Sequence, residues 1–346
     1  MAAAPAASCP NPKMAECSGG PPTELRLGLE WEVWAVTELL EGTPSREVID
    51  AITDAGVPRE HAAELVRRIR RSRPFRTKNR RFARALMAER LIEARRRTRG
   101  PIAVDRRRAI DRDTLHRDYW TRARPLHLTE AAKSMGAVER WSIEGFAQRF
   151  GDLEVEVNTD RERAQRRALT ESVHRTMTFG EFLRGLGEHT NDRYIVSRNG
   201  LFSRPELREL WADLDPLPPF LERPEPPRGA SLWVGPGGTM SPLHFDPHHV
   251  LLVQVVGRKR VWLVPPDSRT IFEGLDGYYA ESDAREHPGA LEVLLDPGEA
   301  LFIPVAFFHQ VEALEPSMTL SLLSFPWEND FHWLRPVSSV SVSRRR

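Results

Sequence analysis

The segment SPLHFDPHH, residues 241–249, decides the fold and the site of this chain of 346 residues. It sets His244 and Asp246 two residues apart, and in an extended strand such side chains point to the same face. A second histidine, His309, follows the apolar run FIPVAFF, residues 302–308. Two imidazoles and one carboxylate with open positions beside them are the ligand set of non-haem Fe(II) sites. The three residues therefore predict a metal centre.

Two other interpretations of the same residues remain open at this point. His-x-Asp alone is a weak signal, and His244 also fits a core or surface position with no ligand. A helix would place His244 and His248 on one face, four residues apart, as in a zinc pair. Pro242 and Pro247 argue against a helix there, because proline removes a helical hydrogen bond.

Short apolar runs broken by Gly, Pro and Asp surround the motif and predict β-strands. After residue 230 these runs are SLWVGP, VLLVQVV, RVWLVPP, LEVLLDPGEALFIP and SMTLSLLSF. Strands at this spacing are typical of a sandwich or barrel of the jelly-roll kind. Such a barrel can bring His309 beside His244. Upstream the pattern mixes helices and strands, with one strand expected at RYIVSRN, residues 193–199.

The N-terminal third has a different composition. Residues 1–22 are rich in Ala, Pro, Ser and Gly and are predicted to be a disordered tail. Residues 23–112 carry apolar positions at helical spacing and are predicted to form a basic helical segment. Within it, residues 67–112 hold 19 Lys and Arg against four acidic residues, although the whole chain has 50 against 49. A solvated helix face is the favoured interpretation, and an acidic or nucleic-acid partner is the alternative.

The composition also limits the class of protein. Cys9 and Cys17 are the only cysteines, which excludes a disulfide framework and a Cys-based zinc site. The first residues lack a basic start followed by an apolar stretch, so no signal peptide is predicted. No apolar run approaches the about 20 residues that a membrane span needs. We therefore expect a cytoplasmic protein with no membrane partner.

Three longer motifs carry a family resemblance. They are WVGPGGTMSPLHFDP (233–247), VQVVGRKRVWLVPP (253–266) and PGEALFIPVAFFHQVEAL (297–314). These motifs resemble the JmjC-type, cupin-like family of Fe(II)- and 2-oxoglutarate-dependent oxygenases. The resemblance extends over about residues 115–333 and is strongest over 230–330. The chain looks closest to bacterial cupin-like proteins with a helical N-terminal segment, and it is similar to the peptide and protein hydroxylases of the family.

The resemblance implies an α+β fold. Its centre would be a double-stranded β-helix (a jelly-roll or cupin barrel) with flanking helices, preceded by the helical N-terminal segment. The oxygenase domain would span residues 113–336, and residues 337–346 would form a frayed tail.

The resemblance also implies a co-substrate pocket. Lys259, in a G-x-K motif, matches the residue that binds the distal carboxylate of 2-oxoglutarate, and a cation suits the far end of a dicarboxylate. Ser241 and Tyr194 match the hydroxyl groups that complete this pocket. A basic hairpin turn remains the alternative for Lys259, and a core position for Tyr194. Val250 departs from the family, where asparagine often supports the co-substrate.

The implied activity is hydroxylation of a C–H bond in a peptide, protein or small molecule, with release of succinate and CO2. His244, Asp246 and His309 would hold Fe(II), with 2-oxoglutarate and O2 as co-substrates. One alternative is a non-catalytic cupin-like module that binds a metal or ligand and docks through its basic helices. Another is a cupin metalloenzyme of a different reaction class. Residues 274–290, with two tyrosines and several acids, are expected to rim the entrance and would suit a basic peptide.

Overall fold

The computed structural model describes residues 29–73, 102–164, 172–268 and 275–334, with the single residues 75, 92, 94, 100 and 271. The expected tails at 1–22 and 337–346 lie outside these residues, as does most of the basic stretch beyond residue 73. The chain divides into two compact units, Met1–Arg99 and Gly100–Arg346. The domain boundaries expected from the sequence stay predictions.

The described part of the first unit contains three helices. They are α1 (Leu29–Glu41), α2 (Ser45–Asp54) and α3 (Arg59–Arg71). Their apolar positions recur at helical spacing and share one core, which includes Trp31, Leu39, Ile52, Leu65 and Ile69. Gly42 and Gly56 have positive φ angles, so glycine lets the chain leave α1 and α2. The sequence predicted N-terminal helices, and this is confirmed.

The second unit is built on β-strands. They are β1 (Asp105–Arg107), β2 (Leu126–Leu128), β3 (Glu154–Thr159), β4 (Val173–Thr178), β5 (Ala230–Gly235), β6 (Met240–His244), β7 (Val250–Val256), β8 (Lys259–Val264), β9 (Leu275–Asp276), β10 (Tyr279–Ala280), β11 (Leu291–Leu295), β12 (Ala300–Ile303), β13 (Phe308–Ala313) and β14 (Ser317–Leu322).

The strands form two six-stranded sheets and one hairpin. One sheet has the order β1-β2-β12-β7-β14-β5, the other β11-β8-β13-β6-β10-β9, and β3 pairs with β4. The pairs are antiparallel except for β1 with β2. Consecutive strands of the chain often alternate between the sheets, as in a jelly roll. The predicted α+β barrel with flanking helices is confirmed.

The side chains of β7 show how the barrel is filled. Val250 and Leu252 belong to the apolar cluster between the two sheets, which also holds Leu263 and Val311. Leu251 and the other alternate residues belong to the cluster that includes the flanking helices. This alternation follows from the two-residue period of a strand, and it explains why β7 is apolar on both faces.

Short helices flank the barrel. The α-helices are α4 (Arg112–Thr114), α5 (Gly136–Arg140), α6 (Ile143–Phe150), α7 (Arg161–Ala164) and α8 (Phe179–Arg184), and a π-helical turn spans Leu115–Trp120. Short 3₁₀ helices span Gly185–Gly187, Ser197–Asn199, Leu201–Ser203, Pro205–Leu214, Ala284–Glu286 and His332–Leu334. Among the described residues, no helix has the length and apolar character needed to cross a membrane.

The strand expected over residues 193–199 is wrong in extent. Only single bridges form, from Tyr194 to Asn158 and from Ile195 to Val234. The chain then turns, because the Asn199 side chain accepts a hydrogen bond from the Val196 N–H at 2.7 Å. This local bond competes with strand pairing.

Candidate metal centre

Strand pairing brings the two predicted histidine ligands together. His309 on β13 lies directly opposite His244 on β6 in the antiparallel ladder. Their ring centroids are 4.2 Å apart, and the two residues are 9% and 5% exposed for His244 and His309 respectively. The barrel therefore places histidines that are distant in sequence on neighbouring strands, as expected.

Asp246 joins them from the loop that follows β6. Its carboxylate Oδ2 lies 3.7 Å from His309 Nε2, and one ligand atom from each of His244, Asp246 and His309 lies within 4.8 Å of the others. Its backbone carbonyl accepts a hydrogen bond from the Ala306 N–H at 3.2 Å. Since His244 ends a strand and residues 245–249 form no helix, the helical His244/His248 zinc pair is excluded.

Both histidines are oriented by their Nδ1 atoms. His244 Nδ1 lies 2.7 Å from the carbonyl oxygen of Pro242, and His309 Nδ1 lies 3.1 Å from that of Phe307. A carbonyl oxygen only accepts, so each Nδ1 carries the proton and donates. Each Nε2 is then a lone-pair atom in the neutral ring, which is the form that binds a metal.

Electrostatics favour the protonation states that a cation requires. Burial and, to a smaller extent, the neighbouring His244 lower the pKa of His309 to about 4, although Asp246 opposes the shift. Burial alone would raise the pKa of Asp246, but His309 and His244 outweigh it and the pKa lies below the usual carboxyl value. At neutral pH the site thus holds a neutral His309 and an ionised Asp246, which suits a divalent ion.

The three residues line a cavity of about 370 Å³ that also contains Lys259, Tyr194 and Ser241. Lys259 and Tyr194 are each 2% exposed, and Lys259 Nζ donates to Tyr194 Oη at 3.1 Å. Among the described residues, no carboxylate lies within 4 Å of this ammonium group. A buried cation without an anionic partner fits a carboxylate ligand, so these residues suit the far end of 2-oxoglutarate.

One wall of the cavity is apolar, with Val250, Leu252 and Ile303 among its residues. Val250 occupies the position where the family resemblance implied asparagine. Trp233 and Ser321 also line the cavity, and the Trp233 indole N–H donates to Ser321 Oγ at 2.9 Å. Sequence reasoning missed this pair. Trp233 opens the quoted WVGPGG motif, but nothing in that motif indicates its partner on β14.

The mouth of the cavity carries Arg198, Tyr278 and Tyr279. Arg198 Nη2 donates to Tyr279 Oη at 3.2 Å. Tyr279 pairs with His244 across β10 and β6, and burial raises the pKa of its phenol. The expected rim segment 274–290 thus contributes its two tyrosines, whereas Glu281, Asp283 and Glu286, the acids whose side chains the structure describes there, do not line the cavity.

A C-terminal strap holds the metal-site loop. The Asn329 side chain accepts from the His249 N–H at 2.8 Å and donates to the His249 carbonyl at 3.0 Å. The Phe331 N–H donates to the Pro247 carbonyl at 3.0 Å. His249 itself is buried against Trp120, with ring centroids 3.9 Å apart. The loop that carries Asp246 is therefore fixed at both its backbone and its side chains.

Comparison with known proteins agrees with this geometry. Residues 112–273 match the family of cupin-like domains and residues 223–330 match the JmjC domain. The chain is 28% identical over 246 residues to lysine-specific demethylase JMJ30 of Arabidopsis thaliana, which covers 66% of this chain and 55% of that protein. It is 30% identical over 222 residues to lysine-specific demethylase 8 of Xenopus tropicalis, covering 59% and 48%.

A relative with a different name is tRNA wybutosine-synthesizing protein 5 of Danio rerio, 27% identical over 232 residues, covering 60% of this chain and 70% of that protein. The chain spans about half the length of the two demethylases it matches. JmjC proteins are in general Fe(II)- and 2-oxoglutarate-dependent oxygenases, and the clustered histidines, carboxylate and buried lysine fit that chemistry. This chain therefore contains a cupin-like domain over residues 112–273 and a JmjC domain over residues 223–330.

Proposed function

We propose that this protein is an Fe(II)- and 2-oxoglutarate-dependent oxygenase that hydroxylates a C–H bond of a peptide, protein or small molecule and releases succinate and CO2. The observation that carries the proposal is the single cavity shared by His244, Asp246, His309 and Lys259. A metal-ligand set and a buried cation for a carboxylate co-substrate rarely serve any other purpose together.

The chain's own residues would do four things in this reaction. The iron would be held by His244, Asp246 and His309. When bound, it supplies the redox chemistry that activates O2 together with the keto acid. The Pro242 and Phe307 carbonyls keep the two imidazoles in the tautomer that binds metal.

Lys259 and Tyr194 would bind the distal carboxylate. The Tyr194 oxygen accepts from Lys259, so the phenol O–H stays available to donate to a ligand oxygen. Val250 and Leu252 would exclude water from the same cavity, which strengthens these charge-assisted bonds.

The mouth of the cavity disfavours a methylated lysine as the substrate. The demethylases among the relatives take their name from lysine, and a methylated lysine is a cation. Here the exposed cation Arg198 lines the cavity, and the carboxylate in the lining, Asp246, is a candidate metal ligand. Like charges repel, so the mouth favours a substrate that is not cationic.

Two measurements test the proposal. Iron-loaded protein should form succinate from 2-oxoglutarate, and His244→Ala should abolish this turnover; equal turnover in both proteins would remove the three residues from the mechanism. Mass spectrometry of cell extract treated with the enzyme should then find products that have gained one oxygen atom, dependent on 2-oxoglutarate.

Val250 favours a second candidate function, a non-catalytic module that holds a metal or ligand without turnover. The valine leaves an apolar wall where family members place an amide. Calorimetry that shows metal binding but no 2-oxoglutarate binding would support this candidate and contradict the first.

The partner of the basic stretch stays a prediction. Most of residues 67–112 lies outside the described residues, but the first arginines of the stretch belong to α3. Arg67 pairs with Glu64 and Arg68 with Glu32 in exposed ion pairs. These pairs support a solvated helix face rather than an acidic or nucleic-acid partner.

A further inference from the structure

The cavity contains a second pair of a cation and a phenol, at its mouth. Arg198 Nη2 donates to Tyr279 Oη, much as Lys259 donates to Tyr194 in the interior. The inner pair is almost fully buried, whereas Arg198 is exposed. The two pairs therefore differ in how a ligand reaches them: the inner one through the cavity and the outer one from solvent.

Neighbouring structure holds the outer pair next to the metal site. Tyr279 lies opposite His244 in the β10–β6 ladder, and their ring centroids are 5.8 Å apart. Arg198 belongs to a 3₁₀ turn that Asn199 secures, because Asn199 Nδ2 donates to Glu156 Oε1 at 3.0 Å and Asn199 Oδ1 accepts from a backbone N–H. The backbone turn that carries the Arg198 guanidinium is thus held in place near the candidate metal centre.

The pair presents only donors to a ligand. The Tyr279 oxygen already accepts from Arg198, so its O–H is left to donate, and the described residues supply no acceptor for it. Among the side chains that the structure describes, which do not include that of Asp276, no carboxylate lies within 4 Å of the Arg198 guanidinium. Arginine donors and a phenol together suit an anionic oxygen group such as a carboxylate or a phosphate.

The charges of the cavity also favour an anionic ligand beside Arg198. If the proposed function holds, the positive charges of Fe(II) and Lys259 are balanced by Asp246 and the two carboxylates of 2-oxoglutarate. Arg198 is then the charge left over among the lining residues. An anionic substrate group would balance it.

Asp283 and Glu281, two acids of the rim, do not line the cavity beside Arg198. Asp283 is held by Arg285, whose Nη2 lies 2.7 Å from Asp283 Oδ2, and Glu281 lies outside the cavity lining. The expectation of a basic peptide was based on Tyr278, Tyr279 and several acids in residues 274–290. The two tyrosines line the cavity and Glu281 and Asp283 do not, and this expectation stays a prediction.

We propose that Arg198 and Tyr279 form an anion-binding subsite at the cavity mouth that receives a carboxylate or phosphate group of an acidic peptide substrate. The subsite lies at the mouth and not in the interior, so the anion belongs to a residue near the one that enters the cavity, as in a peptide chain. This inference rests on the proposed function for the reaction, but the subsite itself is a binding property.

The test uses labelled peptide pools of equal length with randomised central positions. The flanking positions carry Asp and Glu, phosphoserine, Lys and Arg, or Ser and Gln. Fluorescence anisotropy measures their binding to the full chain with Mn(II) and 2-oxoglutarate, and again without them. We expect at least one anionic pool to bind about five- to tenfold more tightly than the neutral pool, and the two anionic pools distinguish carboxylate from phosphate.

Three variants assign that preference. Arg198→Met should reduce anionic binding to the level of the neutral pool, and Tyr279→Phe should reduce it about two- to threefold, as for loss of one hydrogen bond. Arg208→Met is the matched control, because Arg208 is an exposed arginine of the same unit that does not line the cavity. It should leave the preference unchanged.

The outcomes separate this inference from the proposed function. Pools that bind equally, a preference for the basic pool, no binding of any pool, or a preference that survives in Arg198→Met would each overturn the subsite. Calorimetry with Mn(II) and 2-oxoglutarate tests the proposed function independently, and the control variant Arg208→Met should bind both as the unmodified chain does. If the unmodified chain binds neither Mn(II) nor 2-oxoglutarate, the proposed function is contradicted. Peptide binding measured by anisotropy without metal would still test the subsite.

Discussion

Replacing Lys259 by methionine tests the co-substrate pocket most directly. Methionine keeps an unbranched side chain of similar length but removes the ammonium group, which is buried and bonded to Tyr194 Oη at 3.1 Å. We expect the affinity for 2-oxoglutarate to fall while the fold is retained, because the change removes a buried charge from the ligand-free protein instead of leaving one unpaired.

The size of the loss follows from the kind of bond. A hydrogen bond to a charged group contributes about 1.5–3 kcal/mol. Since about 1.4 kcal/mol corresponds to a tenfold change, Lys259→Met should weaken 2-oxoglutarate binding about ten- to hundredfold. Tyr194→Phe removes a bond from a neutral donor and should cost about two- to tenfold. The double variant should lose less than the product of the two effects, because both groups bind one carboxylate.

Calorimetry of 2-oxoglutarate binding to the Mn(II)-loaded protein measures these effects. Arg258→Met is the matched control, since Arg258 lies one residue away on the same hairpin, is exposed and bonds to Glu315 through Nε at 2.7 Å. Its affinity for 2-oxoglutarate should equal that of the unmodified chain. If Lys259→Met and Arg258→Met bind the keto acid equally well, the assignment of Lys259 is wrong.

Three further predictions concern the structure around the site. Burial lowers the pKa of His249 to about 3, so this imidazole stays neutral in the folded chain, whereas the unfolded chain protonates it below about pH 6.5. The contribution of the neutral His249 to the free energy of unfolding is therefore present above pH 6.5 and is lost as the pH falls toward 3. Denaturant unfolding measures the free energy of unfolding at about pH 7 and about pH 5. Its decrease between these pH values should be smaller in His249→Phe than in the unmodified chain, by up to about 1.4 kcal/mol per pH unit. Equal decreases would contradict a buried neutral imidazole. Asn329→Ala removes the hydrogen bonds between the strap and His249, so it should lower the free energy of unfolding by about 1–3 kcal/mol and weaken Mn(II) binding. An unchanged Mn(II) affinity would show that the strap does not position the loop. In chemical denaturation, Gly257→Ala should lower the free energy of unfolding more than Gly200→Ala does. Both glycines have positive φ, but only at Gly257 would a Cβ overlap the Pro316 carbonyl. Equal decreases would mean that the turn between β7 and β8 relaxes to accept the Cβ.

The metal ligands and the inner pocket could be predicted from the sequence for a physical reason. The His244 and Asp246 pair lies within one short segment, and the two-residue period of a strand already puts their side chains on one face. Lys259 and Tyr194 were assigned from motifs, and the structure brings them together with Ser241 in one cavity. Their roles toward 2-oxoglutarate stay predictions until binding is measured.

The outer pair could not be predicted in the same way. Arg198 and Tyr279 are 81 residues apart in the chain, and their contact depends on how a 3₁₀ turn and a two-residue strand meet. The turn itself contradicted the strand expected over residues 193–199, because one asparagine side chain bonds to the backbone instead of pointing to a neighbouring strand. Local propensity says little about such bonds between loops.

The direct pairing of β6 with β13 has a consequence for how the protein acquires its metal. His244 and His309 face each other only when these strands are paired in one register, and a shift of one residue would turn one imidazole to the opposite face. Of the three candidate ligands, a nascent chain that has not yet reached Phe308 contains only His244 and Asp246. If the site binds Fe(II) as proposed, its complete ligand set forms only after β13 pairs with β6, and the bound ion would then link two strands across a long loop.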